Sequence, residues 1–190
     1  MKLYGSTTSP YVRRIRILLS QTPHEFVSLN IYEGKGREVL ASKTPVLRVP
    51  CLEDDGHLIF DSRVIHNYLT EKFQYAALSW EQENQLTLID AVNDSLVILF
   101  QMKQSNIEAD RDAMLVKNQR ERIDASLRAL NNQVEEGQFS GWQYPSICLY
   151  TLIDWIEFRQ LHTLKDFDAL KSFREDHADR IEITATDPRD

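Results

Sequence analysis

The feature that most constrains the fold is a change of hydrophobic periodicity near residue 78 of the 190-residue chain. Before this point, short runs of strand-forming residues alternate with amphipathic helical stretches. After it, strand signals stop and apolar residues recur at helical spacing. The change predicts two domains, an α/β domain over residues 1–77 and an all-helical domain over residues 83–190, joined by a linker within residues 74–82.

The first 77 residues predict the element order β-α-β-(α)-β-β-α. Residues 33–42 contain two glycines and predict a loop with a short helix. An Asp-Gly pair at 55–56 predicts a hairpin turn between the last two strands. The order indicates a βαβ unit with a parallel pair, followed by an antiparallel hairpin, as in a thioredoxin-like domain. The predicted strands cover residues 1–6, 25–31, 44–52 and 58–60.

The second half predicts helices only. Apolar stripes run over residues 86–100, 115–134 and 164–173. The strongly apolar stretch 147–161 predicts a buried central helix containing Trp155. Residues 184–190 have the composition of a mobile tail.

Charge and composition exclude several classes of protein. The net charge of −7 argues against a nucleic-acid partner, because phosphate binding needs a basic face. Residues 1–77 hold ten Lys and Arg against eight Asp and Glu, and the remainder holds twelve against twenty-one, so the halves carry +2 and −9.

No apolar run is long enough for a membrane span and no secretory signal opens the chain, so a cytoplasmic protein is expected. The two cysteines and five histidines lack metal-ligand spacing, so no metal is expected.

A Ser-Pro pair at the first strand-to-helix turn is the first candidate for chemistry. Ser9 and Pro10 suit the N-cap and N1 positions of a helix, so Ser9 has a purely structural interpretation as a cap. The functional interpretation uses the same geometry, because a hydroxyl at a helix N-terminus lies where the macrodipole stabilises an anion. A thiol held at this hydroxyl would lose its proton more easily.

Two further motifs have the same double interpretation. Pro50 is an ordinary edge-strand proline or a cis-proline that faces the helix start. Asp61 and Ser62 precede an amphipathic helix and predict either a cap or a binding site for an α-amino acid group. In the second case Ser62 and backbone amides bind a carboxylate, and Asp61 accepts from an ammonium.

Taken together, three segments resemble the cytosolic glutathione transferase family, in particular its serine-type, bacterial-like members. The segments are Ser9-Pro10-Tyr11-Val12-Arg13, Arg48-Val49-Pro50-Cys51-Leu52 and Asp61-Ser62-Arg63-Val64-Ile65. The resemblance covers residues 1–75 and extends to the helical remainder at the level of architecture. It implies a thioredoxin-like domain that binds glutathione as co-substrate, a helical domain that supplies the electrophile pocket, and a homodimer.

The resemblance also implies a role for individual residues. Ser9 would donate a hydrogen bond to the glutathione sulfur, and Val49 would pair through its backbone next to cis-Pro50. Asp61 and Ser62 would hold the γ-glutamyl end, although the family usually has Glu at the position of Asp61. Arg48 would reach the glycyl carboxylate.

Other positions have an alternative structural explanation. The arginines of the first helix either steer glutathione or, more commonly, form a solvated helix face. Apolar residues on the first helix of the second half either line the electrophile pocket or pack in the core. The central helix keeps Ser146 of the family's capping box but has Leu149 where Asp is usual. The residues concerned are Arg13, Arg14 and Arg16 in the first set, and Leu99, Phe100 and Met102 in the second.

Two functions of different classes follow. The first is a glutathione transferase in detoxification that directs the glutathione thiolate at an electrophile or a hydroperoxide. The second is a non-catalytic module of the same fold that binds partner proteins. An isomerase of maleyl-type diketo acids is disfavoured, because the turn Thr7-Thr8-Ser9-Pro10 lacks the cysteine such enzymes carry.

Overall fold

A four-stranded mixed sheet forms the centre of the N-terminal half of the protein. In the computed structural model, which describes residues 1–107 and 113–190, the strand order is β2-β1-β3-β4. β1 pairs with β2 in parallel and with β3 antiparallel, and β3 and β4 form the hairpin. The strands are β1 Lys2–Gly5, β2 Glu25–Ser28, β3 Cys51–Asp54 and β4 His57–Phe60.

Three helices accompany this sheet: α1 Pro10–Leu18, α2 Gly34–Lys43 and α3 Ser62–Phe73. α2 is a ten-residue helix rather than the loop with a short helix that its glycines suggest. Gly36 is required there for space, because a Cβ atom at this position would lie 2.4 Å from the carbonyl oxygen of Asn30. The close approach of α2 to the chain that follows β2 therefore outweighs the low helix propensity of glycine.

The third strand is shorter than the sequence pattern predicts. Residues 44–50 are irregular and only Cys51–Asp54 pair in the sheet. Prolines at 45 and 50 lack the N–H that a ladder needs, and Leu47 has a φ of +57°, which no strand residue adopts. β2 likewise ends at Ser28 and not at residue 31.

The second half is helical, with α4 Trp80–Gln104, α5 Met114–Glu135, α6 Tyr144–Arg159 and α7 Asp168–His177. α6 is the central helix, and its residues 144–156 are all buried. Ser146 does not cap it: the N-cap is Gln143, and the Ser146 hydroxyl donates to the carbonyl of Gly141. The capping position expected from the family pattern is therefore displaced by three residues.

The structure divides into an N-terminal unit of Met1–Ala77 with Asp179–Asp190, and a helical unit of Leu78–Ala178. The short helix α8, Ile181–Thr184, lies in the N-terminal unit. The predicted helical domain of residues 83–190 thus differs from this division at its C-terminal end. The fold class is confirmed as a thioredoxin-like α/β domain and a helical domain, and no helix in the described ranges has the length and apolarity to cross a bilayer.

Candidate functional site

The three motifs singled out in the sequence meet at one end of the sheet. The strand register pairs Gly5 with Ser28, Tyr4 with Cys51, and Cys51 with Phe60. The end of β1, the start of β3 and the end of β4 therefore lie side by side. Ser9 follows the first of these points, Pro50 precedes the second, and Asp61 follows the third.

Ser9 is the N-cap of α1. Its backbone is extended, with φ −83° and ψ 125°, and its hydroxyl oxygen accepts from the Val12 N–H at 3.4 Å. Pro10 occupies the first helical position. Gly5 allows α1 to begin so close to β1, because a Cβ atom there would lie 2.5 Å from a Val12 methyl. The hydroxyl oxygen is thus held at a helix N-terminus on the sheet end.

The Val49–Pro50 peptide bond is cis, as the resemblance implies. Pro50 is buried, and Val49 packs against the core cluster around Tyr4 and Leu40. Cys51 follows directly but lies within that core, where burial raises the pKa of its thiol. A buried thiol with a raised pKa is a poor nucleophile.

Asp61 begins α3 in a conformation that L-residues rarely adopt. Its φ is +76°, and its carboxylate accepts from the Arg63 N–H at 2.8 Å. Such a backbone costs about 1–3 kcal/mol and persists only where the surroundings enforce it. Ser62 is buried at the first helical position. The Asp-Ser pair is therefore both a helix cap and a strained corner at the sheet end.

The segment before Pro50 is fixed by a residue that the sequence pattern does not mark. The Arg37 side chain donates to the carbonyls of Ile31 and Leu47, at 3.3 and 3.2 Å. These bonds connect α2 to the irregular segment of residues 44–50. Arg48, the next residue, is exposed and carries its charge into solvent beside the sheet end.

Two of the three arginines of α1 are buried, contrary to the expected solvated helix face. Arg13 and Arg14 are buried, at 3% and 1% exposure, and Arg16 is half-buried. Arg14 lies over the ring of Tyr11, with 4.8 Å from its guanidinium carbon to the ring centroid. Arg13 and Arg14 are therefore not part of a solvated helix face.

The C-terminal residues explain the burial of Arg13. Its guanidinium donates to the carbonyl of Ile183 at 3.1 Å and to the hydroxyl of Thr186 at 3.3 Å. Residues 184–190 are consequently not a free tail. The sequence indicates the burial of Arg13 only weakly, because an arginine among the apolar residues of a helix is also compatible with a solvated edge.

The apolar candidates of the second half lie near the C-terminal end of α4. Leu99, Phe100 and Met102 are half-buried. Phe100 contacts Trp155 edge to face, with ring centroids 6.1 Å apart, and carries the Arg159 guanidinium over its ring. The packing explanation accounts for Phe100 within the helical unit. The use of all three residues for an electrophile stays a prediction.

Among residues 1–107 and 113–190, no group of three His, Cys, Asp or Glu side chains is arranged to hold a metal ion.

The chain combines a thioredoxin-like domain, with a cis-proline at the sheet end, and a helical domain. Residues 3–77 match the family model of the glutathione S-transferase N-terminal domain. A glutathione-bound glutathione S-transferase from Methylobacillus flagellatus has the same fold over 98% of both chains, with a TM-score of 0.84 and 21% sequence identity.

Two curated proteins are similar to this chain in sequence. Glutathione S-transferase hmp2 of Hypomyces subiculosus is 32% identical over 74 residues, which are 38% of this chain and 35% of hmp2. The chain therefore matches only about a third of the length of hmp2. The uncharacterized GST-like protein YibF of Escherichia coli is 26% identical over 171 residues, 85% of this chain and 84% of YibF. Residues 3–77 thus match the glutathione S-transferase N-terminal domain, and the chain as a whole has the fold of solved glutathione S-transferases.

Proposed function

We propose that the protein is a serine-type, bacterial-like glutathione transferase in which Ser9 activates the glutathione thiol. The observation that carries this proposal is the hydrogen bonding of the Ser9 hydroxyl. Its oxygen accepts from the Val12 N–H, and among the described residues its hydrogen is donated to no partner. The oxygen of this hydroxyl is held by one hydrogen bond, and its hydrogen remains available to donate to a sulfur anion.

The other residues at the sheet end supply polar groups that fit a tripeptide with a free ammonium and two carboxylates. Val49 offers its backbone beside cis-Pro50 for a peptide-like pairing with the cysteinyl part. Ser62 and the N-terminal amides of α3 suit the γ-glutamyl carboxylate, and Asp61 suits the ammonium. Arg48 is the cation for the glycyl carboxylate.

The chemistry needs no covalent step on the enzyme. The Ser9 hydrogen bond and the N-terminal dipole of α1 stabilise the thiolate, so the thiol proton leaves to solvent near neutral pH. The thiolate sulfur then forms a bond to an electrophilic carbon, and a leaving group departs with the electron pair. With a hydroperoxide, the thiolate attacks the terminal peroxide oxygen instead. The O–O bond breaks, the alkoxide leaves with the electron pair and takes up a proton, and the glutathione sulfenic acid condenses with a second glutathione to give the disulfide and water. Leu99, Phe100 and Met102 are proposed as part of the apolar surface for the second substrate.

We also propose a homodimer acting in detoxification in the cytoplasm, with no metal. The dimer is supported by large apolar side chains that are exposed on the N-terminal unit, among them Leu58 of β4 and Val64 of α3. These two elements are neighbours, because β4 leads directly into α3.

One observation favours the second candidate, a non-catalytic module that binds partner proteins. The Asp61 carboxylate already accepts from the Arg63 N–H, and Asp is shorter than the Glu usual in the family. A weakened contact to the ammonium would reduce the affinity for glutathione without affecting the fold.

The test of the proposed function is the Ser9→Ala variant, with Thr8→Val as the matched control. The Thr8 hydroxyl contacts only the Ser6 hydroxyl among the described residues, at 3.2 Å. We expect Ser9→Ala to keep glutathione binding, to raise the pKa of the bound thiol and to lower conjugation at neutral pH about a hundredfold. Thr8→Val should leave the pH profile unchanged.

Retention on immobilised glutathione separates the two candidate functions. Retention of the unchanged protein, with specific elution by free glutathione, supports the transferase. No binding at millimolar glutathione supports the protein-binding module instead. An unaltered pH profile in Ser9→Ala would show that another hydroxyl activates the thiol.

A further inference from the structure

The C-terminal residues of the chain contact the helix that carries the proposed active-site serine. Residues 179–190 return to the N-terminal unit, and Ile183 and Thr186 are buried there. Arg16 of α1 adds a bond to the carbonyl of Ala185 at 3.4 Å. Two arginines of α1 therefore donate to three oxygens within residues 183–186, two backbone carbonyls and one hydroxyl.

Arg13 is the centre of this contact and is also one helical turn from Ser9. Its backbone N–H donates to the carbonyl of Ser9 at 3.0 Å, which closes the first turn of α1. Its side chain donates through Nη2 to the Ile183 carbonyl and through Nε to the Thr186 hydroxyl. The same residue thus joins the C-terminal segment to the turn that Ser9 caps.

The partner of Arg13 is itself held in place. The Thr186 hydroxyl donates to the carbonyl of Glu182 at 2.7 Å, so its oxygen is oriented to accept from Arg13. A guanidinium presents its donors in a rigid planar fork, and two acceptors therefore define its orientation as well as its position. Lysine, with a single rotatable ammonium, cannot reproduce this geometry.

We infer that Arg13 and Thr186 form a clamp through which residues 179–190 hold the first turn of α1 and thereby position the Ser9 hydroxyl. Both are positioning residues, since they act on the sulfur only through α1. The inference rests on the proposed function for the role of Ser9. The mechanical part, the hold of the C-terminal segment on α1, does not depend on it.

The burial of Arg13 favours a positioning role over simple packing. Burying a guanidinium costs free energy unless its N–H groups are bonded, and an apolar side chain of similar volume would fill the same space at lower cost. What the arginine adds is a defined direction between the two segments. An activating hydroxyl needs this, since misplacement by about 1 Å lowers the rate of an oriented reaction by about a hundredfold.

The experiment compares Thr186→Val with Thr184→Val in the full chain. Both changes replace a hydroxyl by a methyl in the same segment. Thr184 is exposed, however, and within the described part of the chain its hydroxyl bonds only the Ile181 carbonyl. Arg13→Lys is the second variant, because it keeps the charge and loses the fork. Hydrogen exchange of α1, the pKa of the bound glutathione thiol, kcat and KM are measured for each protein.

We expect Thr186→Val and Arg13→Lys to speed amide exchange in the first turn of α1 about fivefold, as the loss of one hydrogen bond implies. We also expect a higher pKa of the bound thiol and a kcat lowered more than KM is raised. Thr184→Val should match the unchanged protein in every readout.

Two results would overturn the inference. Equal exchange at α1 in the Thr186 and Thr184 variants would show that the segment does not hold the helix. Faster exchange with an unchanged thiol pKa and kcat would show a structural contact with no effect on Ser9. If the unchanged protein does not bind glutathione, the proposed function fails, whereas hydrogen exchange still decides whether the clamp exists.

Discussion

At the scale of single residues, the candidate site combines well-formed and strained positions. Ser9 caps α1 in an ordinary extended conformation. Asp61, at the start of α3, has a φ of +76° although it is not glycine. We propose that this strained residue, at the end of the sheet and next to a helix N-terminus, serves ligand contact rather than stability.

Asp61→Gly tests this interpretation. Glycine adopts positive φ without strain and serves as an N-cap with a loss of only a few tenths of a kcal/mol, so we expect the free energy of unfolding to rise by about 1 kcal/mol. Binding of glutathione should weaken about tenfold or more, because the acceptor for the ammonium is lost. Denaturant unfolding and titration calorimetry measure the two effects.

Gln74→Gly is the matched control for that variant. Gln74 also has a positive φ, +56°, but it ends α3 at the far end from Asp61. We expect a similar or smaller gain in stability and no change in glutathione affinity. Equal affinity in Asp61→Gly and the unchanged protein would remove Asp61 from the binding site.

At the scale of elements, the hairpin is tied to α3 by a buried carboxylate. Asp54, the last residue of β3, accepts from the Tyr68 hydroxyl at 2.8 Å and forms an ion pair with Lys72. Burial acts to raise the pKa of Asp54, but the hydrogen bonds from Lys72 and Tyr68 outweigh it, and the net pKa is lowered. This network lies at the opposite end of β3 from Pro50.

Asp54→Asn is expected to destabilise the protein by about 2–4 kcal/mol at neutral pH, because the ion pair loses its buried member. A carboxylate with a depressed folded-state pKa stabilises the fold above its unfolded pKa of about 4, and this contribution is lost as the pH falls through the folded value. The stability difference between the variant and the unchanged protein should therefore shrink on acidification. Urea unfolding at a series of pH values measures it.

Asp55→Asn provides the control, because Asp55 pairs with the same Lys72 at 2.9 Å but is exposed. Exposed pairs contribute about 1 kcal/mol or less, so this variant should change stability little at any pH. If the loss of stability in Asp54→Asn did not depend on pH, packing and not the ion pair would connect β3 to α3.

Elements whose signal lies within a few neighbouring residues form as the sequence predicts. The hairpin turn at Asp55-Gly56 forms as predicted, because its signal is contained in two residues. The strand predicted over 44–52 forms only over Cys51–Asp54. Ladder pairing needs a partner strand, and Pro50 has no N–H to donate to one. α2 forms despite two glycines, since its packing against the chain after β2 outweighs propensity.

At the scale of the whole molecule, the exposed apolar residues lead us to predict a dimer. Val64, on α3 next to the β4 edge of the sheet, is 51% exposed. We expect the unchanged protein to sediment at twice the mass of one chain, and Val64→Glu to shift it toward the monomer, because a charge buried in an interface without a partner is costly.

Tyr32→Glu is the control for the interface. Tyr32 is 71% exposed but follows β2, at the opposite edge of the sheet. This variant should keep the mass of the dimer. A monomeric unchanged protein, or the same mass for Val64→Glu and the unchanged protein at low concentration, would contradict the proposed interface.

The sequence by itself determined the element order, the change from α/β to helical architecture and the three motifs at the sheet end. These rest on local signals, namely periodicity, caps and turn residues, that act within a few positions along the chain. Only the tertiary structure decided the burial of Arg13, the return of residues 179–190 and the displaced start of α6. Arg13 and Thr186 are 173 positions apart in the chain. Local sequence patterns cannot predict such a contact, because it exists only once the chain has folded.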